Sequence, residues 1–247
     1  MSGYTSPVDG RRIVIVGGAG GIGRALVAGL VDEGAHVAAV DLGGVALESV
    51  ETSSTKRTMR VAADASDPDA IRAAVATIEG EFGHIDALVN TVGLFLPGDF
   101  VESGPADWQL AIRVNLLGVM TATWAVLPGM VQRSSGTIVH FASTAGEYGS
   151  IRPAAAYVAA KGGVIAFTKS LAREVGAQGV RVNCISPGPV RTAMFAADTP
   201  GADGSSRTLL GRMGTPTDLL PAVRYLVSDD SAYVTGEVMR VNGGSLI

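Results

Sequence analysis

The stretch "IVIVGGAGGIGRAL", residues 13–26, decides the fold of this 247-residue chain. An apolar run leads into five glycines among the seven positions Gly17 to Gly23, and an apolar, alanine-containing pattern leads out. Glycine loses more conformational freedom on folding than any other residue, so such a cluster at the end of a buried strand needs a ligand or a packing reason.

Outward from that turn, strand-like and helix-like segments alternate along the whole chain. "RIVIV" precedes a helical pattern from Ile22 to Glu33, and "HVAAV" (36–40) precedes a short helix from Val45. "TMRVAA" (58–63) precedes "PDAIRAAVATIEGEF", with Asp67 as N-cap and Pro68 in the first turn. "IDALVN" (85–90) leads through a loop to a long helix around Trp108 to Met130. "GTIVHFAS" (136–143) precedes a helix from Tyr157 to Val175, "VRVNCIS" (180–186) precedes a loop, and "GEVMRV" (236–241) closes the chain. The strands are short continuous apolar runs, as suits strands covered on both faces. Repeated strand–helix alternation of this kind means a parallel sheet with helices on both sides, the α/β doubly wound (Rossmann) class. No repeat, low-complexity segment or linker divides it. Residues 1–10 read as a flexible tail and 11–247 as one domain.

Composition narrows the function. The net charge of −4 and 17% charged residues include no basic block, which argues against nucleic acid. The single cysteine, Cys184, forms no intrachain disulfide and suits a reducing, cytoplasmic setting. No apolar core follows "MSGYTSPVDGRR", so no secretory signal is expected. Val114 to Val131 is free of charge over a length that imitates a membrane span, yet it carries Asn115, Pro128, two threonines and two glycines. We read it as a helix buried in the core or against a partner subunit, and expect no membrane partner. His36, His84 and His140 are far apart and lack metal-ligand spacing, so no metal is expected.

In an open parallel sheet, ligands bind at the carboxyl ends of the strands where the strand order reverses. The helix after the glycines offers unpaired N–H groups and a positive dipole end, which suit a pyrophosphate. Gly18 to Gly23 has P-loop glycine spacing, but Arg24 and Ala25 stand where Lys and Ser/Thr are required. Two dinucleotide registers remain, Gly18/Gly20/Gly23 and Gly17/Gly21/Gly23, beside a reading in which the glycines serve packing alone. Asp41 ends the second strand and can accept hydrogen bonds from both ribose hydroxyls of adenosine, while repelling the extra phosphate of NADP.

The second half carries "AYVAAKGG". Tyr157 and Lys161, four apart, share one helix face. A free phenol with a pKa near 10 is a poor base at neutral pH. A neighbouring ammonium lowers that pKa and makes Tyr157 a usable acid/base for a proton on a carbonyl oxygen.

The order of motifs resembles the short-chain dehydrogenase/reductase family from about Arg11 onward. The matching pieces are "VGGAGGIG" (16–23), Asp41, "DA" (64–65), "NTVG" (90–93), Asn115 in "RVNLLG", "FASTAG" (141–146), "YVAAK" (157–161), "SPGPVRT" (186–192) and "VTGEVMRVNGG" (234–244). The resemblance selects the register Gly17/Gly21/Gly23. It implies seven parallel strands and an NAD(P)-dependent oxidoreductase.

Position by position, the resemblance makes Tyr157 the acid/base and gives Lys161 the tasks of lowering its pKa and holding the nicotinamide ribose. Ser143 hydrogen-bonds the substrate oxygen, and Asn115 holds a water in the proton relay. Gly17, Gly20, Gly21, Ile22 and Gly23 form the dinucleotide turn. Asp41 and Leu42 meet the adenosine ribose, Asp64 and Ala65 the adenine. Asn90 and Gly93 lie under the ribose, and Pro187, Gly188, Val190 and Thr192 bracket the nicotinamide. Three departures stand out. Val16 replaces a Thr whose hydroxyl braces the turn, and "NTVG" replaces Asn-Asn-Ala-Gly. The segment from Ser143 to Tyr157 is also one residue long, so that counting back from Tyr157 gives Thr144. We choose Ser143, because an insertion in "EYGSIRP" is easier than a shift of strand register.

These readings lead us to expect hydride transfer between NAD and a secondary alcohol or ketone in a homotetramer. One alternative is an NADPH-dependent 3-oxoacyl-[acyl-carrier-protein] reductase, against which Asp41 and Gln178 weigh. The other, of a different class, is a non-catalytic dinucleotide-binding sensor or scaffold, which has no need of Ser, Tyr, Lys and Asn together. There is no G-x-S-x-G elbow for a serine hydrolase. Ala193 to Met213 reads as a lid. Phe95, Leu96, Tyr148, Met194 and Phe195 suggest an apolar pocket, with Arg152, Arg207 and Arg212 as candidates to meet an anionic group.

Overall fold

The computed structural model describes residues 6–50, 57–193 and 208–247. Seven strands form one parallel sheet in the order β3-β2-β1-β4-β5-β6-β7. They are β1 Arg12–Val16, β2 His36–Asp41, β3 Thr58–Ala62, β4 Ala87–Asn90, β5 Gly136–Phe141, β6 Val180–Pro187 and β7 Val238–Val241. The order reverses between β1 and β4, where Ile13 to Val16 pair with Ala87 to Asn90. That reversal opens a crevice at the carboxyl ends of these two strands.

Successive side chains of a strand point to opposite faces, and both faces here are covered. On one side, Ile13, Ile15, Val37, Ala39 and Val89 pack with Leu26, Val27 and Leu30 of α1 (Gly21–Asp32) and with Val223, Leu226 and Val227 of the last long helix (Leu220–Val227). On the other, Val14, Val16, Ala38, Val40 and Leu88 meet Ile71, Val75 and Ile78 of the helix Pro68–Phe82, together with residues of Gly118–Gln132 and Ala155–Val175. Asp67 caps the helix Pro68–Phe82 as its sequence predicts, accepting from the N–H groups of Asp69 and Ala70 at 2.9 and 3.1 Å.

We number the helices α1 Gly21–Asp32, α2 Val45–Glu48, α3 Pro68–Phe82, α4 Pro105–Ile112, α5 Gly118–Gln132, α6 Ala145–Tyr148, α7 Ala155–Val175 and α8 Leu220–Val227. A wider π-type turn, Arg113–Leu117, joins α4 to α5 and contains Asn115. Among the described residues, the run Pro105–Gln132 is the one helix long and apolar enough to cross a membrane. In this fold Val119, Ala122, Val126 and Met130 of that run are core residues. Leu117, Met120 and Trp124 form an exposed apolar stripe along its outer side.

One expectation is corrected. Of the segment read as a flexible tail, residues 6–10 pack onto the domain. Val8 is fully buried, Gly10 N–H donates to Gly34 O at 3.0 Å, and the Ser6 hydroxyl bonds Glu33. A single apolar side chain in a cleft suffices to order a turn, and no periodic pattern announces it. Residues 1–5 lie outside the described residues.

Candidate active site

The glycine turn is built for close approach. Gly17 has φ +85°, and a Cβ there would meet the Thr91 side chain and backbone at 2.7–2.9 Å. At Gly23 a Cβ would meet Gly17 O at 2.1 Å, so this glycine lets α1 pack on the turn. The α1 N-terminus is open: Gly20 is its N-cap, with no side-chain cap and no acidic residue in the first turn. The Thr91 hydroxyl donates toward Val16 O and Gly17 O at 3.0 and 3.1 Å, bracing from β4 the turn that Val16 cannot brace. Sequence reading missed Thr91; the only signal was the paired departure at Val16 and Thr91.

Asp41 ends β2 beside this turn. Its Oδ2 accepts from Ala19 N–H and its Oδ1 from Leu42 N–H, both at 2.8 Å. The carboxylate therefore holds the loop and does not cap α2; each oxygen keeps a further lone pair. Arg24 does not extend away along α1. Its guanidinium folds back to Ala19 O at 2.7 Å and to Ala46 O and Ser49 around α2. These backbone carbonyls are the nearest acceptors for a charge that cannot be deprotonated.

Asp64 is exposed and accepts from the backbone and hydroxyl of Ser66, both at 2.8 Å, which holds its carboxyl below the usual range. Ala65 packs against Gly118 at the start of α5. Asn90 is fully buried; its Nδ2 donates to the Thr123 hydroxyl of α5 at 3.3 Å, and its Oδ1 has no partner among the described residues.

Beyond β4, β5 and β6 lies a cavity that gathers Ile22, Gly93, Ser143, Tyr157, Lys161, Pro187, Gly188, Val190 and Thr192. Tyr157 and Lys161 project from α7, and Ser143 from the loop after β5. The Ser143 hydroxyl accepts from Ala145 N–H at 3.1 Å and lies close enough to the Tyr157 phenol to oppose the rise in its pKa. Thr144, the competing candidate, is buried at the start of α6, and its N–H donates to Pro187 O at 3.1 Å. Thr192 sits over Gly21 at the α1 N-terminus, and Gly188 presses on Asn242.

Lys161 is 3% exposed, and its Nζ donates to Phe141 O at 2.9 Å and Val92 O at 3.2 Å. Burial lowers its pKa to about 8. Sequence reasoning has this lysine lowering the Tyr157 pKa. The structure gives the opposite direction: burial raises the phenol above its ordinary value, and the opposing pull comes from Ser143. The lysine's charge is tied to two carbonyls, with Nζ 5.9 Å from the centre of the Tyr157 ring. Behind it His140 is fully buried between Thr123 and Thr168, and burial, then the Lys161 charge, pushes its pKa down to about 3.

Asn115 lies outside the cavity wall but anchors it. Its Oδ1 accepts from Leu94 N–H at 3.0 Å, while Nδ2 donates to Leu94 O and Ala111 O, both at 2.9 Å. Those bonds occupy both amide protons and pin the loop after β4 on which Gly93 and Phe95 lie. A Cβ on Gly93 would sit 3.4 Å from Asn115 Oδ1 and 3.5 Å from Lys161 Nζ, ordinary contact distances that place this glycine between the two side chains.

Of the apolar candidates, Phe95 and Tyr148 line the cavity, whereas Leu96 turns to a separate depression with Pro97 and Trp108. Met194, Phe195, Arg207 and most of the lid segment lie outside the described residues. Arg212 is closed by Asp218 through two bonds of 2.7 and 2.8 Å.

An open helix N-terminus at the switch point of a doubly wound sheet, with Tyr, Ser and Lys converging beside it, defines an α/β nucleotide-binding oxidoreductase. Comparison with known proteins makes this specific. The family described as "Enoyl-(Acyl carrier protein) reductase", of the short-chain type, matches residues 17–245. The chain is 38% identical to 2-(S)-hydroxypropyl-CoM dehydrogenase 3 of Xanthobacter autotrophicus, over 94% of this chain and 95% of that one. It is 37% identical to the 3-oxoacyl-[acyl-carrier-protein] reductase FabG of Vibrio harveyi, over 96% and 98% respectively. A solved structure, "Crystal structure of gox2181", superposes with a TM-score of 0.91 at 27% identity, covering 98% of this chain and 99% of its own. The chain belongs to the short-chain dehydrogenase/reductase family and is an oxidoreductase of the class acting on CH–OH and C=O groups with a nicotinamide cofactor.

Proposed function

We propose that this enzyme carries out reversible hydride transfer between NAD and a secondary alcohol or ketone, with Tyr157 as general acid/base. The observation that carries the proposal is the convergence of Tyr157, Ser143 and the buried Lys161 in one cavity at the carboxyl edge of the sheet. When bound, the cofactor accepts or supplies the hydride. The chain's own residues bind, orient and move the proton. Ser143 Oγ and the Tyr157 hydroxyl hold the substrate oxygen. With its pKa raised by burial, the Tyr157 hydroxyl is protonated at neutral pH, the form that gives a proton to a carbonyl oxygen during reduction. In oxidation it takes that proton back. Lys161, cationic below about pH 8, favours the phenolate as it forms and holds the nicotinamide ribose. Asn115 fixes the loop beside Lys161, and with both amide protons spent on Leu94 and Ala111 only its oxygens remain to hold the relay water.

The residues present fit a dinucleotide. The Gly21 and Ile22 N–H groups at the open α1 terminus suit a pyrophosphate, whereas Gly20 N–H closes the turn by donating to Gly17 O at 3.1 Å, and Gly17 and Gly23 supply the close approach. Asp41 and Leu42 would take the adenosine ribose, Asp64 and Ala65 the adenine, and Asn90 and Gly93 the ribose floor. Pro187, Gly188, Val190 and Thr192 would bracket the nicotinamide. We favour NAD over NADP because the Asp41 carboxylate, at the end of β2 beside the glycine turn, would meet the adenosine ribose. The stripe of Leu117, Met120 and Trp124 supports a homotetramer packed through α5 and α7. The lone cysteine, fully buried, supports a cytoplasmic enzyme.

A second reading, an NADPH-dependent 3-oxoacyl-[acyl-carrier-protein] reductase, is favoured by relatives of that name at 33–37% identity. A turnover screen with NAD and a broad alcohol panel, repeated with NADH, NADPH, carbonyls and a 3-oxoacyl thioester, separates the two. Preferred use of NADPH with the thioester would replace the first reading by the second.

A further inference from the structure

The described wall of the catalytic cavity carries two cations, Lys161 and Arg152, and no carboxylate. Lys161 is committed to the carbonyls of Val92 and Phe141. Arg152 is not committed. It stands half-buried on the loop between α6 and α7, and among the described residues it makes no hydrogen bond and no ion pair. Its guanidinium lies over the Phe95 ring, 5.1 Å from the ring centre. Phe95 in turn meets Tyr157 edge-on, with centroids 5.1 Å apart. Arg212, by contrast, is closed by Asp218, and Arg240 by Glu147.

A guanidinium held over an aromatic ring by a cation–π contact keeps N–H groups free, and those groups match the two oxygens of an oxyanion. The contact also restricts the side chain before any ligand arrives, which reduces the ordering cost of binding. The two 5.1 Å steps place the guanidinium carbon within about 10 Å of the Tyr157 ring centre.

We propose that Arg152 recognises an anionic group on the substrate, a carboxylate or another oxyanion carried a few carbons from the reacting hydroxyl or keto carbon. Arg152 thereby selects anionic hydroxy and keto compounds over neutral ones. The proposal rests on reading this cavity as the substrate site.

The test has a binding arm and a turnover arm. The full-length enzyme, saturated with NADH, is titrated calorimetrically with carboxylates from acetate to hexanoate and with their neutral amides. We expect the best carboxylate to bind at least about tenfold more tightly than its amide. Arg152→Ala should erase that preference and leave amide binding unchanged, and Arg152→Lys should keep part of it. In turnover, Arg152→Ala should raise KM for 3-hydroxybutyrate about tenfold or more and leave kcat and the methyl ester unaffected. Equal binding of acids and amides by the wild type, binding of neither, or an acid preference that survives Arg152→Ala overturns the proposal. An Arg152-dependent acid preference without turnover of any alcohol or ketone, with either cofactor, would sustain the anion site and sink the reading of the cavity as a dehydrogenase centre.

Discussion

Cofactor choice should turn on Asp41. Its two oxygens each hold a loop N–H at 2.8 Å, which fixes the carboxylate at the end of β2, and each retains a lone pair for a ribose hydroxyl. A 2′-phosphate would replace one of those hydroxyls and set anion against anion. Two unit charges about 4 Å apart repel by about 1 kcal/mol in water and about 4 kcal/mol at the effective dielectric of a protein surface. Asp41 is half-exposed, so the discrimination falls between these limits, and about 1.4 kcal/mol, tenfold in kcat/KM, is a fair minimum. Arg24 cannot offset this, since its guanidinium is spent on Ala19 O, Ala46 O and Ser49. Steady-state kinetics with both cofactors should show the wild type preferring NAD at least about tenfold, and Asp41→Ala should collapse the ratio by a similar factor. The same substitution strips the acceptor from two loop N–H groups, at about 1–3 kcal/mol, so the melting temperature should fall by several degrees. Equal or better use of NADP by the wild type refutes the argument. A destabilised Asp41→Ala with an unchanged cofactor ratio would leave Asp41 as a loop brace and nothing more.

The remaining predictions follow from other parts of the site. Tyr157→Phe should lower turnover by about 10²–10⁴-fold while the NADH dissociation constant, followed by fluorescence, stays within a few-fold of wild type. Lys161 has a folded-state pKa of about 8 against 10.5 for the free side chain, so the unfolded chain binds more protons between those values. Stability should therefore rise with pH from about 8 to 10.5, and urea titrations should find that rise missing in Lys161→Met. Asn115→Leu abandons three hydrogen bonds and leaves Leu94 unpaired, which should cost about 2–4 kcal/mol in denaturant unfolding. Sedimentation at micromolar concentration should show a tetramer, and a monomer there would contradict burial of the Leu117, Met120 and Trp124 stripe.

The sequence alone determined the sheet, because continuous apolar strands at regular intervals, each followed by a helical pattern, can be buried only as a parallel sheet covered on both sides. It determined the glycine turn and the Tyr157–Lys161 face for the same kind of reason. Steric need at Gly17 and Gly23, and a four-residue helical spacing, are local properties that neighbouring residues fix. What the folded chain decided was every contact between segments distant in sequence. Thr91 reaches across from β4 to brace the turn after Val16, and Asn115 ties Leu94 rather than standing free. Arg24 folds back onto α2, and Val8 enters the core from a segment that reads as a tail. The direction of the Tyr157 pKa was decided there too. Spacing places a lysine nearby, but only the packing shows that burial raises the phenol and that the lysine's charge is bound to carbonyls 69 and 20 residues away along the chain. Desolvation depends on everything that surrounds a group, and no local pattern encodes that.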